Sequence, residues 1–162
     1  MIVMLVAWGV TLGALVVQGT AVAVGVESIG ALLARRLVGS QVWRNGMAAL
    51  LLIAILLTGH LVQMAAWAMA FMGAGEFETF SVAFYHSAVN YTTLGYGDIV
   101  MSEQWRLLAP LEAAGGTLAF GWSTAAIVTV AIRLMRYRHR AQIREESRGR
   151  SQKTRDVTSV AE

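Results

Sequence analysis

The sequence predicts an all-α membrane protein with three transmembrane helices and one short helix that enters the membrane without crossing it. Hydrophobic residues make up 56% of the 162 residues and charged residues 14%, whereas soluble domains contain about 25% charged residues. Three apolar runs, at residues 1–26, 47–72 and 107–135, are each long enough to cross a hydrocarbon layer of about 30 Å. A fourth segment, residues 80–91, is too short and too polar to span a bilayer.

Residues 1–26 contain no charged side chain, and they form either an uncleaved transmembrane helix or a cleaved signal peptide. The run lacks a basic start and its apolar core is longer than that of a signal peptide, so an uncleaved helix is favoured. Its small residues suit close helix packing, although they are also ordinary in membrane helices. Residues 27–46 follow as a connector that carries Arg35, Arg36 and Arg44.

The second run, residues 47–72, also lacks charged side chains, and His60 near its middle is its one ionisable residue. An ionisable residue inside a membrane is a functional candidate, and for a histidine the candidate function is proton sensing. The other interpretation, which we favour, is a neutral imidazole that forms hydrogen bonds to a neighbouring helix.

Residues 80–91 are expected to form a helix that stops partway into the membrane. Non-helical chain at that depth is tolerated only where protein buries it or water lines it. We therefore expect the chain to return to the side it came from. The C-terminal end of the helix would direct the negative pole of its dipole toward the membrane centre, which favours a cation there.

The returning chain reads Thr92-Thr93-Leu94-Gly95-Tyr96-Gly97-Asp98. Its two glycines allow the backbone to alternate between right- and left-handed conformations at little steric cost. Successive carbonyl groups can then point the same way, and four such strands around an axis would form rings of oxygens that replace the water around a potassium ion. The other interpretation of this stretch is an ordinary extracellular turn.

This stretch resembles the selectivity filter of tetrameric potassium channels, in which Thr-Val-Gly-Tyr-Gly or Thr-Ile-Gly-Tyr-Gly is followed by Asp. Leu94 stands where Val or Ile is usual. The resemblance implies a homotetramer with residues 80–91 as the pore helix and residues 92–98 as the filter. It also implies that K⁺ is coordinated by the Thr93 hydroxyl and by the carbonyl oxygens of Thr93, Leu94, Gly95 and Tyr96.

The same resemblance implies a set of residues that support the filter. In the family an aromatic pair on the pore helix, usually Trp-Trp, braces the filter, and here Tyr85 and His86 occupy those positions. Either side chain is expected to bond Asp98 or Tyr96, and the ring of Tyr96 is expected to point away from the pore axis. The supporting residues are Thr92, Gly97, Asp98, Tyr85 and His86.

The third run resembles the inner helix of small two-span bacterial potassium channels over residues 116–126. The resemblance implies a hinge at Gly116 and positions near the inner cavity and gate for Phe120 and Thr124. A second interpretation is that the small residues of this run only allow close packing, and the two can both hold. Glu112, the one carboxylate within the predicted spans, is either a gating proton site or, as we favour, a structural hydrogen-bond partner of the pore-helix side.

The basic residues predict the orientation of the chain. Twelve of the 13 Lys and Arg residues lie in the connector or from Arg133 onward, and only Arg106 lies in the loop that carries the filter. The positive-inside rule then places the connector and the basic tail, residues 136–162, in the cytoplasm. The N-terminus and the filter mouth would lie outside the plasma membrane. The isoelectric point of about 9.8 is thus explained by orientation and contact with lipid headgroups, and nucleic acid is not an expected partner.

The sequence shows no metal-ligand cluster, nucleophile triad or phosphate-binding loop, so neither an enzyme nor a cofactor other than permeant K⁺ is expected. Three functions compete. A potassium-selective channel is favoured by the two glycines and by Tyr96. The second is a weakly selective cation channel on the same scaffold, and the third is a non-conducting membrane subunit or a transporter component. Neither a voltage sensor nor a ligand-binding domain is recognisable, so the gating stimulus cannot be read from the sequence.

Overall fold

A computed structural model describes residues 1–35 and 42–160. Arg36, which the sequence places in the connector, and the last two residues of the basic tail lie outside the described residues. Within the described residues the chain forms four α-helices and no strand. In chain order they are α1 (Ile2–Ala34), α2 (Val42–Gly73), α3 (Phe80–Tyr91) and α4 (Leu108–Val160).

Three of these helices are long and apolar enough to cross a membrane, namely Ile2–Ala34, Val42–Gly73 and Leu108–Ile143. The short helix α3 has the bounds expected for the pore helix. Helix α1 extends to Ala34, beyond residue 26, because Ile29 is buried in an apolar cluster with residues of α2 and α4. Helix α4 continues through the basic tail, where Arg, Gln, Glu and Lys are all good helix formers.

The three long helices pack against one another, and α3 lies between α2 and α4. Small residues permit the closest approaches. A Cβ atom added to Gly59 of α2 would lie 2.9 Å from the Cβ of Ala21, and one added to Gly19 of α1 would lie 3.3 Å from the indole of Trp122. Real Cβ atoms essentially never approach one another to 2.9 Å. Helix α1 therefore packs this closely against α2 only because residue 59 is a glycine.

A second apolar cluster surrounds the N-terminal part of α4 and the end of α3. Trp67 and Phe71 of α2, Tyr91 of α3 and Leu108 are almost completely buried in it. Pro110 lies in the first turn of α4, where its missing N–H group costs no helical hydrogen bond. The cluster holds the C-terminal end of α3 between α2 and α4, and the predicted filter residues follow directly after that end.

Candidate pore loop and its supporting contacts

Helix α3 ends in a Schellman motif, the hydrogen-bonded reversal with which many helices terminate. The Leu94 amide donates to the carbonyl oxygen of Val89 at 2.9 Å, and the Thr93 amide donates to that of Asn90 at 2.8 Å. The Gly95 amide also donates to the Val89 carbonyl, at 3.2 Å. Three successive amides of the predicted filter are therefore satisfied by the last turn of the helix that precedes them.

The backbone from residue 93 to residue 97 alternates in handedness. The φ angles of Thr93, Gly95 and Gly97 are +59°, +60° and +70°, whereas no other non-glycine residue in the described chain has a positive φ. Gly95 and Gly97 adopt such angles without steric cost. Thr93 is β-branched and adopts its angle under strain, because the Schellman motif requires a left-handed residue at that place.

The carbonyl oxygens of residues 93–96 are left without backbone partners in the described part of the chain. The amides of residues 93–95 are instead bonded to carbonyl oxygens of α3. Three donors of the loop are therefore used within the chain, while the carbonyl oxygens of residues 93–96 remain available. Oxygen atoms of this kind are the ligands that hard monovalent and divalent cations prefer.

Two side chains of α3 form hydrogen bonds to the chain that follows the loop. The Tyr85 hydroxyl donates to Oδ2 of Asp98 at 2.7 Å, and this hydrogen bond to the carboxylate raises the pKa of Tyr85. Nδ1 of His86 donates to the carbonyl oxygen of Ile99 at 3.1 Å. Burial lowers the pKa of His86, which favours a neutral ring whose Nδ1 carries the proton.

A third contact joins the turn after α2 to the chain that follows the loop. The two carboxylate oxygens of Glu76 accept from the backbone amide of Ser102 at 2.7 Å and from its hydroxyl at 2.6 Å. This pair was not predictable from local patterns, because the partners are 26 residues apart and α3 lies between them. The available signal would have been a carboxylate just outside an apolar run, together with a serine after the predicted filter.

The remaining predicted filter residues face away from their own subunit. Tyr96 is 66% exposed and Leu94 is 54% exposed. Neither the Tyr96 ring nor the Leu94 side chain is therefore buried behind the loop of its own chain. The Thr92 hydroxyl instead donates back to the Ala88 carbonyl at 2.6 Å and helps to end α3. An open cavity behind the loop is lined by residues of α3, the loop and the outgoing chain, among them His86, Val89, Gly95 and Met101.

The inner-helix residues lie close to the end of α3. A Cβ atom added to Gly116 would collide with the carbonyl oxygen of Tyr91, so the glycine is needed for close packing irrespective of any hinge. The Phe120 ring lies 5.5 Å from the Tyr91 ring and 4.5 Å from that of His60, measured between centroids. The Thr124 hydroxyl donates to the carbonyl of Phe120 on the preceding turn, at 2.9 Å.

His60 is hydrogen-bonded to two neighbouring helices, as the favoured interpretation expects. Its Nδ1 lies 2.8 Å from the hydroxyl of Tyr91 on α3, and its Nε2 lies 2.9 Å from the hydroxyl of Ser123 on α4. Both partners are neutral and the imidazole is buried. A charged imidazole in these surroundings would lack a counter-charge, so the contacts favour a structural histidine.

Glu112 is fully buried and contacts the pore helix. The Ser87 hydroxyl lies 2.5 Å from Oε1 of Glu112 and 2.8 Å from the carbonyl oxygen of Met64. Ser87 has a single hydroxyl proton, so both contacts are hydrogen bonds only if Glu112 is protonated and donates to Ser87. The second carboxyl oxygen has no partner, which would be very costly for an ionised group and is far less so for a neutral one.

We predict that Glu112→Gln keeps the fold and Glu112→Ala does not. The Gln amide can donate to Ser87 as a protonated carboxyl does, so its free energy of unfolding should stay within about 1 kcal/mol of wild type. Glu112→Ala removes the donor and leaves a cavity, which should cost about 2–5 kcal/mol. Thermal unfolding in detergent, with the exposed Glu103→Ala as control, measures both. A Gln variant as unstable as the Ala variant would mean that Glu112 is ionised.

Within residues 1–35 and 42–160, no group of three or more His, Cys, Asp or Glu side chains is arranged to hold a metal ion. A family model described as ion channel matches residues 50–133, which is more than half of the chain. Comparisons with curated proteins and with solved structures find no match. The matched region contains most of α2, all of α3, the loop after it and α4 as far as Arg133. The chain is a multi-pass membrane protein that belongs to this ion channel family.

Proposed function

We propose that the protein is a potassium-selective channel in which four copies surround a central pore. The observation that carries the proposal is the alternating backbone at Thr93, Gly95 and Gly97, together with carbonyl oxygens that have no backbone partner among the described residues. Membership of an ion channel family supports passive ion conduction.

In this proposal the carbonyl oxygens of Thr93, Leu94, Gly95 and Tyr96, with the Thr93 hydroxyl, replace the hydration shell of K⁺. Each subunit has one such strand, and rings of oxygens require several strands around one axis. Ions in neighbouring sites repel one another, so that binding is favourable enough to remove water and still permits release. The C-terminal end of α3 adds the negative pole of its dipole beside these sites.

Assembly also gives a role to the groups that face away from their own subunit. The exposed ring of Tyr96 and the open cavity behind the loop are suited to meet between neighbouring copies. Tyr96 would then pack outward against pore helices and hold the filter open. Within one subunit the loop is supported by the side chains of Tyr85, His86 and Asp98. The backbone freedom of Gly97 and the hydrogen bond of Thr92 add to this support.

We predict that the purified protein in liposomes takes up K⁺ along its gradient and takes up little Na⁺. Gly95→Ala should abolish the uptake, because a side chain at φ +60° costs about 1–2 kcal/mol at each of several equivalent positions around the pore. Gly13→Ala is the matched control, since nothing lies within 4 Å of its added Cβ. Tracer uptake measures all three proteins.

The outcomes separate the competing functions. Equal uptake of Na⁺ and K⁺ by the wild-type protein would replace the proposal with a weakly selective cation channel. No uptake of either ion would point to a non-conducting subunit or a transporter component. Uptake that survives Gly95→Ala unchanged would exclude the backbone of residues 93–96 as the ion path.

The charge distribution supports an orientation in the plasma membrane with the loop outside and the tail in the cytoplasm. The chain has no cysteine, so one introduced thiol is unique. We expect Gln104→Cys to react with a membrane-impermeant maleimide in intact cells, and His139→Cys to react only after permeabilisation. Both positions are exposed. The opposite pattern would invert the orientation.

We also predict that Tyr85→Phe speeds the decay of current during sustained activation. The substitution removes the hydrogen bond to Asp98 and keeps the ring, so that the outgoing chain loses one of its attachments. Asp98→Asn should act in the same direction with a smaller effect, because an amide oxygen can still accept from Tyr85. Tyr137→Phe on α4 is the control. An unchanged decay in both loop variants would show that this bond does not brace the filter.

A further inference from the structure

Five buried polar side chains form a closed ring of hydrogen bonds in the middle of the helix bundle. Gln18 of α1 bonds Ser123 of α4 at 2.6 Å, and Ser123 bonds His60 of α2 at 2.9 Å. His60 bonds Tyr91 of α3 at 2.8 Å, and Tyr91 bonds Gln63 of α2 at 3.1 Å. Gln63 returns to Gln18 at 2.7 Å. All four helices contribute to this ring.

The direction of every bond follows from one contact outside the ring. The amide nitrogen of Gln63 donates a second hydrogen to the carbonyl oxygen of Gly59 at 3.2 Å, so the Gln63 nitrogen faces Gly59 and its oxygen faces Tyr91. The Tyr91 hydroxyl has one proton and must give it to that oxygen, so it accepts from Nδ1–H of His60.

The donor and the acceptor of each remaining hydrogen bond in the ring then follow. With its proton on Nδ1, neutral His60 accepts at Nε2 from the Ser123 hydroxyl. Ser123 accepts from the Gln18 amide, and the Gln18 oxygen accepts from Gln63. Each of the five groups donates once and accepts once around the ring, which is the arrangement in which hydrogen bonds strengthen one another. A second proton on His60 would leave two donors facing each other.

The ring joins an element outside the matched channel region to the filter. Gln18 lies in α1, which precedes the region of residues 50–133. Tyr91 is the last residue of α3, and its neighbour Thr92 is the first residue of the filter. Gln18 is completely buried and bonds Ser123 and Gln63 of the ring. Within the described residues its side chain is the hydrogen-bonded link from α1 to the ring, and Gly59 leaves room for it, while Ala7 of α1 shares an apolar cluster with Tyr91.

We propose that α1 is a positioning element for the filter, and that Gln18 exerts this effect through Gln63 and Tyr91. The proposal rests on the proposed conduction through residues 93–96. Gln18 holds the Gln63 amide in the orientation that accepts from Tyr91, and Tyr91 fixes the end of α3 from which the filter leaves. Gln18 is thus a positioning residue, since it touches neither the ion nor the filter backbone.

Other titratable groups near the ring do not disturb this arrangement. The partners of His60 in the ring are the neutral hydroxyl groups of Tyr91 on α3 and Ser123 on α4, and the Phe120 ring of α4 packs against it. The Glu112 carboxyl of α4 is bonded to Ser87, and in its protonated form it carries no charge.

The first test compares Gln18→Leu with Thr20→Leu in the liposome assay. Thr20 lies on the same helix, and its exposed hydroxyl bonds only the preceding turn. We expect Gln18→Leu to lower the ratio of K⁺ to Na⁺ uptake about tenfold, because losing one to two hydrogen bonds shifts by that order the balance between filters with ordered oxygens and filters with displaced oxygens that discriminate less between the two ions. Thr20→Leu should leave the ratio unchanged. A Gln18→Leu variant with the wild-type ratio would overturn the proposal.

A double-substitution cycle identifies the route. If Gln18 acts through Tyr91, Tyr91→Phe should reduce the ratio by itself and adding Gln18→Leu should reduce it no further. Independent, multiplying effects would overturn that route. Ser123→Ala, which removes one hydroxyl and little volume, opens the ring from the α4 side and should act in the same direction if Gln18→Leu does not fold.

The second test reads the ring directly in the wild-type protein. Nitrogen NMR of ¹⁵N-histidine-labelled channel in bilayers distinguishes the two neutral forms from the cation, and the His60→Gln variant assigns the signals. We expect neutral His60 with its proton on Nδ1 from pH 6 to pH 8. A proton on Nε2 or a cationic ring would overturn the ring. Because this readout needs no ion flux, it separates failure of the ring from failure of the proposed potassium channel.

Discussion

The structure depends on how the backbone of α3 ends inside the membrane. A chain that leaves a helix in hydrocarbon has amide and carbonyl groups that water cannot satisfy. Here the carbonyls of Val89 and Asn90 take up the amides of residues 93–95. The same motif imposes a left-handed residue at position 93, after which the glycines at 95 and 97 repeat the handedness. The amides of residues 93–95 thus have partners in α3, while the carbonyl oxygens of residues 93–96 have no backbone partner among the described residues.

The side chains around this loop fall into two groups that differ in their exposure to water. Where the bonds are exposed, the carboxylates of Glu76 and Asp98 hold the chain after the loop. Where they are buried, the side chains are Gln18, Gln63, Ser87, Glu112 and Ser123, and the number of protons available to each bond favours neutral partners. The difference follows from the cost of desolvating an ion, which rises with depth in the membrane.

The parts of this structure that local patterns determine were predictable from the sequence. The length of the apolar runs gave the three spans, and the position of residues 80–91 between two of them gave the short helix. The glycines predicted left-handed backbone at 95 and 97, as the φ angles show. The left-handed Thr93 was missed, because a β-branched residue argues against that conformation and only the capping geometry of α3 overrides it.

Contacts between distant helices were not predictable, since they depend on the rotation of each helix in the bundle. Gln18 and Ser123 are 105 residues apart, and Gln18 and Gln63 are 45 residues apart. Because α1 is apolar on all sides, its sequence does not indicate which neighbouring helix Gln18 faces. The position of Glu112 near the start of its helix predicted a contact with the side of residues 80–91. Nothing in the sequence identified Ser87 as the partner. The extension of α1 to Ala34 likewise needs the tertiary contacts of Ile29.

The position of Gly116 relative to the ring connects filter support with motion of α4. Gly116 packs against the Tyr91 carbonyl, and Ser123 lies seven residues, or about two turns, further along the same helix. A bend at Gly116, the role that the resemblance implies, would move Ser123 while leaving Tyr91 in place. Because Ser123 and Tyr91 bond opposite nitrogens of His60, such a bend has to stretch or break the ring. In the proposed channel, a stimulus that bends α4 would therefore act against the hydrogen bonds that hold the end of α3, and α4 and the proposed filter would not move independently.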